Sequence, residues 1–140
     1  MKFKFDGFNW LVRLDRGEKL IEILTKLVVE ENIQGAWVSG IGAAENLEIG
    51  FYDLGAKTYK WKSFDGIFEI TNLQGNIAWE GKDPIIHLHG TFSDKDFHGI
   101  GGHVKEVIAG GTIEIFIHKW YGEKLNRSLD DDTGLNLLKY

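Results

Sequence analysis

Residues 112–120 alternate without interruption: Ile113, Ile115 and Ile117 fall on one side, Glu114, Phe116 and His118 on the other. A period of two is the mark of a strand with one buried face. Asn9 to Leu14 reads the same way, with Phe3 to Phe5 as a short lead-in. Gln34 to Ser39 is apolar and reads as a buried strand, and Leu47, Ile49 and Phe51 alternate after it. Tyr59 and Trp61 alternate with lysines, which predicts a strand with one wet face. Phe64 to Leu73, Ile77 to Trp79 and Ile85 to Phe92 complete the strand segments, while 105–109 is too short a pattern to assign. A different period governs 18–31. Leu20, Ile23, Leu24, Leu27 and Val28 recur at helical spacing, with Lys19, Glu22, Lys26 and Glu30 off that face. One apolar stripe predicts a helix packed on a sheet, with Asn32 as its stop.

Strand segments thus far outnumber the helix, which predicts a sheet-dominated α+β domain spanning 1–140. The 18 glycines and single proline predict many turns between short elements. Gly40-Ile41-Gly42 is a partial dinucleotide fingerprint, but Glu45 stands where a third glycine belongs and a strand follows instead of a helix. A glycine-lined turn or bulge is the better reading.

Composition removes several function classes. With no cysteine, disulfides and thiolate chemistry are excluded, so a soft metal needs histidine and oxygen ligands. The net charge is −5 with no basic block, which disfavours nucleic acid as the main partner. No apolar run reaches bilayer length and the first residues lack a signal-peptide pattern, so a soluble, cytoplasmic protein is expected.

Four of the five histidines lie between Pro84 and Val104. His87 and His89 share one face of a strand, and Gly101-Gly102 carries the backbone to His103. Two imidazoles from one strand and a third from a neighbour make an all-nitrogen face with an open position, which suits zinc. The bland alternative is partly buried histidines bonded to nearby carbonyls. A cupin would place a glutamate shortly after its His-x-His, but only Asp94 and Asp96 follow here. His98 reads as a surface-loop residue and His118 as a sheet-face histidine. Arg13 either counters an anion or makes a salt bridge, and Asp130 to Asp132 reads as a solvated charge cluster. Leu135, Leu137 and Leu138 are expected to dock on the body or on a neighbouring subunit.

Several stretches taken in order resemble a known family: Leu11-Val-Arg-Leu-Asp-Arg-Gly-Glu18, the run from Ala36 to Asp53, Phe68-Glu-Ile-Thr-Asn-Leu-Gln-Gly-Asn-Ile77, His87-Leu-His-Gly90 with Gly101-Gly-His103, and Asp131-Asp-Thr-Gly-Leu-Asn-Leu-Leu138. Their order and spacing resemble the plants-and-prokaryotes-conserved (PPC) domain in its free-standing prokaryotic form, over essentially the whole chain. The resemblance implies a mostly antiparallel sheet with flanking helices, assembled as a homotrimer. It also implies that His87, His89 and His103 are metal ligands. Plant relatives carry a basic AT-hook for the minor groove, and this sequence holds no such element.

Three functions follow from this reading. The first is a zinc-holding, homotrimeric module that binds or senses a small ligand without turnover. The second is a zinc hydrolase or lyase, in which a water on the three histidines has its pKa lowered to about 7. That enzyme needs a proton-transfer group, for which Glu69, Asp94, Asp96 and Glu114 are candidates. The third, DNA binding, rests on relatives and is opposed by the charge.

Overall fold

The computed structural model describes residues 1–139. Two short strands, β1 (Lys2–Phe5) and β2 (Asn9–Leu14), lead to the helix α1 (Leu20–Glu30). Four long strands follow: β3 (Ala36–Asp53), β4 (Thr58–Glu80), β5 (Asp83–Ser93) and β6 (Gly99–Lys119). A small hairpin of β7 (Arg127–Leu129) and β8 (Asn136–Leu138) ends the chain. The main sheet runs β1-β2-β6-β3-β4-β5, every pair antiparallel, and β5 also pairs with the start of β6. That last pairing closes β3, β4, β5 and β6 into a ring. At the closure His103 pairs with Gly50 of β3 and with His89 of β5.

The helix falls where its stripe predicts, and Leu20, Leu24, Leu27 and Val28 are fully buried. Lys19 supplies no side-chain cap. The Glu106 carboxylate on β6 accepts from the Ile21 amide instead, at 2.8 Å, which satisfies one orphan donor and suits the positive end of the helix. The alternating isoleucines of β6 face inward with Val12 and Leu14. Each such side chain contributes on the order of 1.5–3 kcal/mol when withdrawn from water. On the outer face Leu11, Trp37 and Ile41 are 50%, 51% and 59% exposed.

Two expectations are corrected. The domain has one helix among the described residues, so flanking helices overstate it. The glycines mostly do not separate short elements. Ala36 to Ser39 of the first predicted segment and Leu47 to Phe51 belong to the one strand β3, which absorbs register shifts between Gly40 and Gly42 and between Glu45 and Leu47. The segments from Thr58 to Trp79 likewise join in β4, and the unassigned 105–109 lies inside β6. Gly75, in the gap between the predicted segments ending at Leu73 and starting at Ile77, sits mid-strand between Val38 and Leu88. A Cβ there would overlap the His87 carbonyl oxygen, so glycine lets two strands pass at close range. Composition alone does not separate that use of glycine from a turn.

Candidate metal and ligand site

The histidine face follows from register. His89 and His103 are direct partners across β5 and β6, and His87 lies two residues along β5 on the same side. Ring centroids are 5.2 Å apart for His87 and His89, 5.0 Å for His87 and His103, and 5.3 Å for His89 and His103. One nitrogen from each ring lies within 4.8 Å of the others. The three rings therefore converge.

His87 and His103 are half-buried, whereas His89 is exposed. Burial, reinforced for His87 by the Arg127 charge and the other two rings, pushes its pKa down to about 4. His103 falls to about 4 as well, from burial first and then from His89 and Arg127. Both rings are therefore neutral at pH 7, the state a metal requires. That moves proton competition at these two positions well below the pH of about 6 expected of an ordinary imidazole.

Around the triad stand residues the sequence did not single out. Arg127 reaches in from β7, donating through Nη2 to Asn76 Oδ1 at 2.7 Å and to His87 Nδ1 at 3.1 Å. Its Nη1 donates to the Asn136 carbonyl at 2.7 Å. Tyr59 Oη lies 3.4 Å from His103 Nδ1, and the Tyr59 ring stacks on Trp61 with centroids 4.5 Å apart. Burial raises the Tyr59 pKa, so its hydroxyl stays protonated. Beside the triad lies a cavity of about 500 Å³ walled by Tyr59, Trp61, His87, His103, Arg127 and Leu135.

These residues fit a tetrahedral ion with one exchange. Nitrogens bound at about 2.0 Å lie roughly 3.3 Å apart, so separations of up to 4.8 Å close by modest ring rotation. Tyr59 is placed to fix the His103 tautomer through Nδ1, as a supporting hydrogen bond does in metal sites. At His87 the match is poorer. Arginine only donates, so His87 Nδ1 accepts and its ring proton sits on Nε2. Either nitrogen can meet an ion only after Arg127 yields its bond to this ring.

The other candidates lie elsewhere. Asp94, Asp96 and His98 occupy the turn between β5 and β6, four residue pairs beyond His89 and His103. Asp94 accepts there from the amides of Asp96 and His98, so His98 is the exposed loop residue expected. Glu69 pairs with Ser93 near that same end. Glu114 is opposite Arg13 and Ile41, on the far part of the sheet. None of the four candidate proton-transfer carboxylates lines the histidine cavity. Arg13 pairs with Asp15 at 2.9 Å and is remote from the triad in register. His118 is an exposed sheet-face residue beside Phe116. Asp130 binds the amide and hydroxyl of Thr133, so this part of the acidic run builds a turn. Leu135 and Leu137 dock beside the cavity, on the body of the same chain.

The fold and this site define a class: a closed antiparallel domain with an imidazole triad beside a partly aromatic pocket. The chain belongs to the Plants and Prokaryotes Conserved (PCC) domain family, whose model matches residues 2–120. Solved structures agree. A "Metal-containing Protein" from Archaeoglobus fulgidus is 34% identical, with all of both chains covered and a TM-score of 0.89. A plant- and prokaryote-conserved protein from Pyrococcus horikoshii is 29% identical, covering 99% of this chain and 95% of that one, at TM-score 0.90. A Ralstonia eutropha "Putative DNA-binding protein" is 33% identical, covering 99% and 96%, at TM-score 0.93. No curated protein matches the chain significantly. Among the described residues, no helix is long and apolar enough to cross a membrane.

Proposed function

We propose that this protein is a homotrimeric metal-binding module in which His87, His89 and His103 hold a zinc ion beside a small-ligand pocket, for binding or regulation without turnover. The convergence of three imidazoles, with one nitrogen each within 4.8 Å, carries the reading. The resemblance to a metal-containing archaeal protein over the whole chain supports it. Bound zinc would supply a Lewis acid to oxygen ligands. The chain's own part is to hold neutral imidazoles, to steady His103 through Tyr59, and to set Arg127 beside His87. Turnover by a hydrolase or lyase is the weaker reading, because Glu69, Asp94, Asp96 and Glu114 all stand away from the cavity. Self-assembly draws support from the outer apolar face of Leu11, Trp37 and Ile41, since sheets seldom leave such a face to water.

Metal analysis of untagged protein tests the central claim. Wild type should carry about one zinc per chain and His89→Ala near background; equal background content in both would sink it. Light scattering behind a sizing column should give three times the chain mass, and a monomer at micromolar concentration would contradict the trimer.

A second reading, DNA binding, is favoured by the name of the Ralstonia relative. The net charge of −5 opposes it. A gel-shift series at low salt decides: retention that weakens steeply as salt rises supports it, and no retention at low salt ends it.

A further inference from the structure

Three converging imidazoles need three available lone pairs, and one of them is taken. A guanidinium has N–H groups and no acceptor, so the 3.1 Å contact between Arg127 Nη2 and His87 Nδ1 runs one way, from arginine to imidazole. Nδ1 therefore holds the lone pair and Nε2 the proton. A neutral ring has one lone pair for ligation, and here Arg127 occupies it. His103 is addressed differently. It faces the Tyr59 hydroxyl, which donates or accepts and so leaves either tautomer open.

Exchanging the tautomer does not free His87. If Nε2 is to offer a lone pair, the proton moves to Nδ1 and meets the Arg127 N–H head on. If Nδ1 is to offer it, Arg127 has to vacate that atom. Either route begins with the loss of this contact.

Arg127 is held where it blocks. It stands on β7, beyond residues 2–120 matched by the family model, whereas all three histidines lie within them. The hairpin of β7 and β8 is pinned at both ends. At its base Leu125 makes backbone bonds with Gln34 and Trp79. At its tip Tyr52 and Lys57 donate to the carbonyls of Thr133 and Asp131. Between them Arg127 Nη1 binds the Asn136 carbonyl and Nη2 the Asn76 side chain, each at 2.7 Å. The His87 bond is the longest of the three. Nη2 carries two hydrogens, so Asn76 keeps one when His87 gives up the other. The contact is thus releasable without undocking the hairpin.

We propose that Arg127 is an autoinhibitory latch on the metal site: it occupies the His87 lone pair in the metal-free protein and has to release it before the third imidazole can ligate. The β7–β8 hairpin thereby sets the zinc concentration at which the triad fills. This rests on the metal half of the proposed function and deepens it.

Two measurements on the full chain test it. The first needs neither variant nor metal. Nitrogen-15 NMR of the histidine side chains in chelator-treated wild type should show His87 protonated at Nε2 and bare at Nδ1. A His87 protonated at Nδ1 overturns the latch. The second is zinc affinity, by competition with a coloured chelator. Arg127→Met keeps an unbranched side chain and removes its donors. It should tighten zinc about tenfold or more, the scale of one hydrogen bond from a charged donor. Lys57→Met is the control for charge, since Lys57 is an exposed cation on the same cavity wall that bonds the Asp131 carbonyl. Its charge is screened, so zinc affinity should change by about twofold at most. Unchanged or weaker zinc binding in Arg127→Met overturns the proposal. So does an equal gain in Lys57→Met, which makes the effect one of charge alone. If circular dichroism shows Arg127→Met unfolded, Arg127→Lys replaces it. Lysine keeps the charge but lacks the fork that spans Asn136, Asn76 and His87. It should still tighten zinc about threefold, and no gain counts against the latch. The two readings fail distinguishably: zinc bound equally by wild type and Arg127→Met removes only the latch. No zinc in either removes the metal reading and the latch with it.

Discussion

Two groups of potential ligands lie on the hairpin of β5 and β6, and each brings three ligand atoms within 4.8 Å of one another. His87, His89 and His103 project from paired strands, two of them half-buried. Asp94, Asp96 and His98 crowd a turn, where Asp94 is occupied by two backbone amides and His98 is exposed. Proximity is the same in both, so proximity does not make a site. The triad is fixed by ladder register, burial keeps His87 and His103 neutral, and Arg127 and Tyr59 address the ring nitrogens of those two. The turn cluster is close because an aspartate caps its own loop.

The largest expected effect is on metal content. His87→Ala or His103→Ala should reduce bound zinc to background by mass spectrometry, whereas Asp94→Asn and His98→Ala should leave it unchanged. Zinc lost from Asp94→Asn as completely as from His103→Ala would erase the distinction between the clusters.

Next comes the scaffold under the triad. Gly75→Ala places a methyl against the His87 carbonyl and forces β4 from β5. A loss of about 1–3 kcal/mol is expected from overpacking, measured by urea unfolding of chelator-treated protein. Zinc affinity should fall with it. Wild-type stability and affinity in this variant would mean that the close approach is not required. At Gly66, where nothing lies within 4 Å, the same change meets no neighbour. It adds strain only from its positive φ of 111° and should leave zinc affinity intact.

Acid should act on the triad through linkage. His87 and His103 have folded pKa values of about 4 against 6.5 for the unfolded chain. Between those values the unfolded state binds protons that the folded state refuses, so metal-free stability present above pH 6.5 falls as pH drops toward 4. Thermal melts in chelator across that window should show a declining Tm, with less of a decline in His87→Ala. A flat profile in wild type would contradict neutral, buried rings.

The smallest effect belongs to Tyr59→Phe, which removes the hydroxyl facing His103 Nδ1 and keeps the ring stacked on Trp61. Loss of such a supporting bond lowers metal affinity by about tenfold, measured by competition with a coloured chelator. Zinc should still bind, and complete loss would mean that Tyr59 is itself a ligand.

Much of the fold was legible because its signals are local. The stripe on α1 and the alternation of β2 and of the end of β6 lie where the pattern puts them. The triad was legible for a similar reason. His87 and His89 share a face by strand period alone, and His103 follows a double glycine only a hairpin away. What failed was the meaning of glycine at position 75. The bulge reading of Gly40 and Gly42 matches the register shift there, but Gly75 falls between two predicted strand segments as a turn glycine would, yet serves a close strand passage. Arg127 was missed because it sits 40 residues from His87 in a polar stretch whose own pattern says only that it is exposed.

Periodicity and residue chemistry, read along the chain, thus settled that this is a sheet-rich domain with one amphipathic helix and an imidazole face, since a strand or helix exposes its period within a few residues. Tertiary structure alone decided that β5 meets β6 to close the ring, that burial keeps His87 and His103 neutral, and that β7 delivers Arg127 to His87. Those outcomes depend on which distant backbones pair and what they shut away from water, and no local period encodes either.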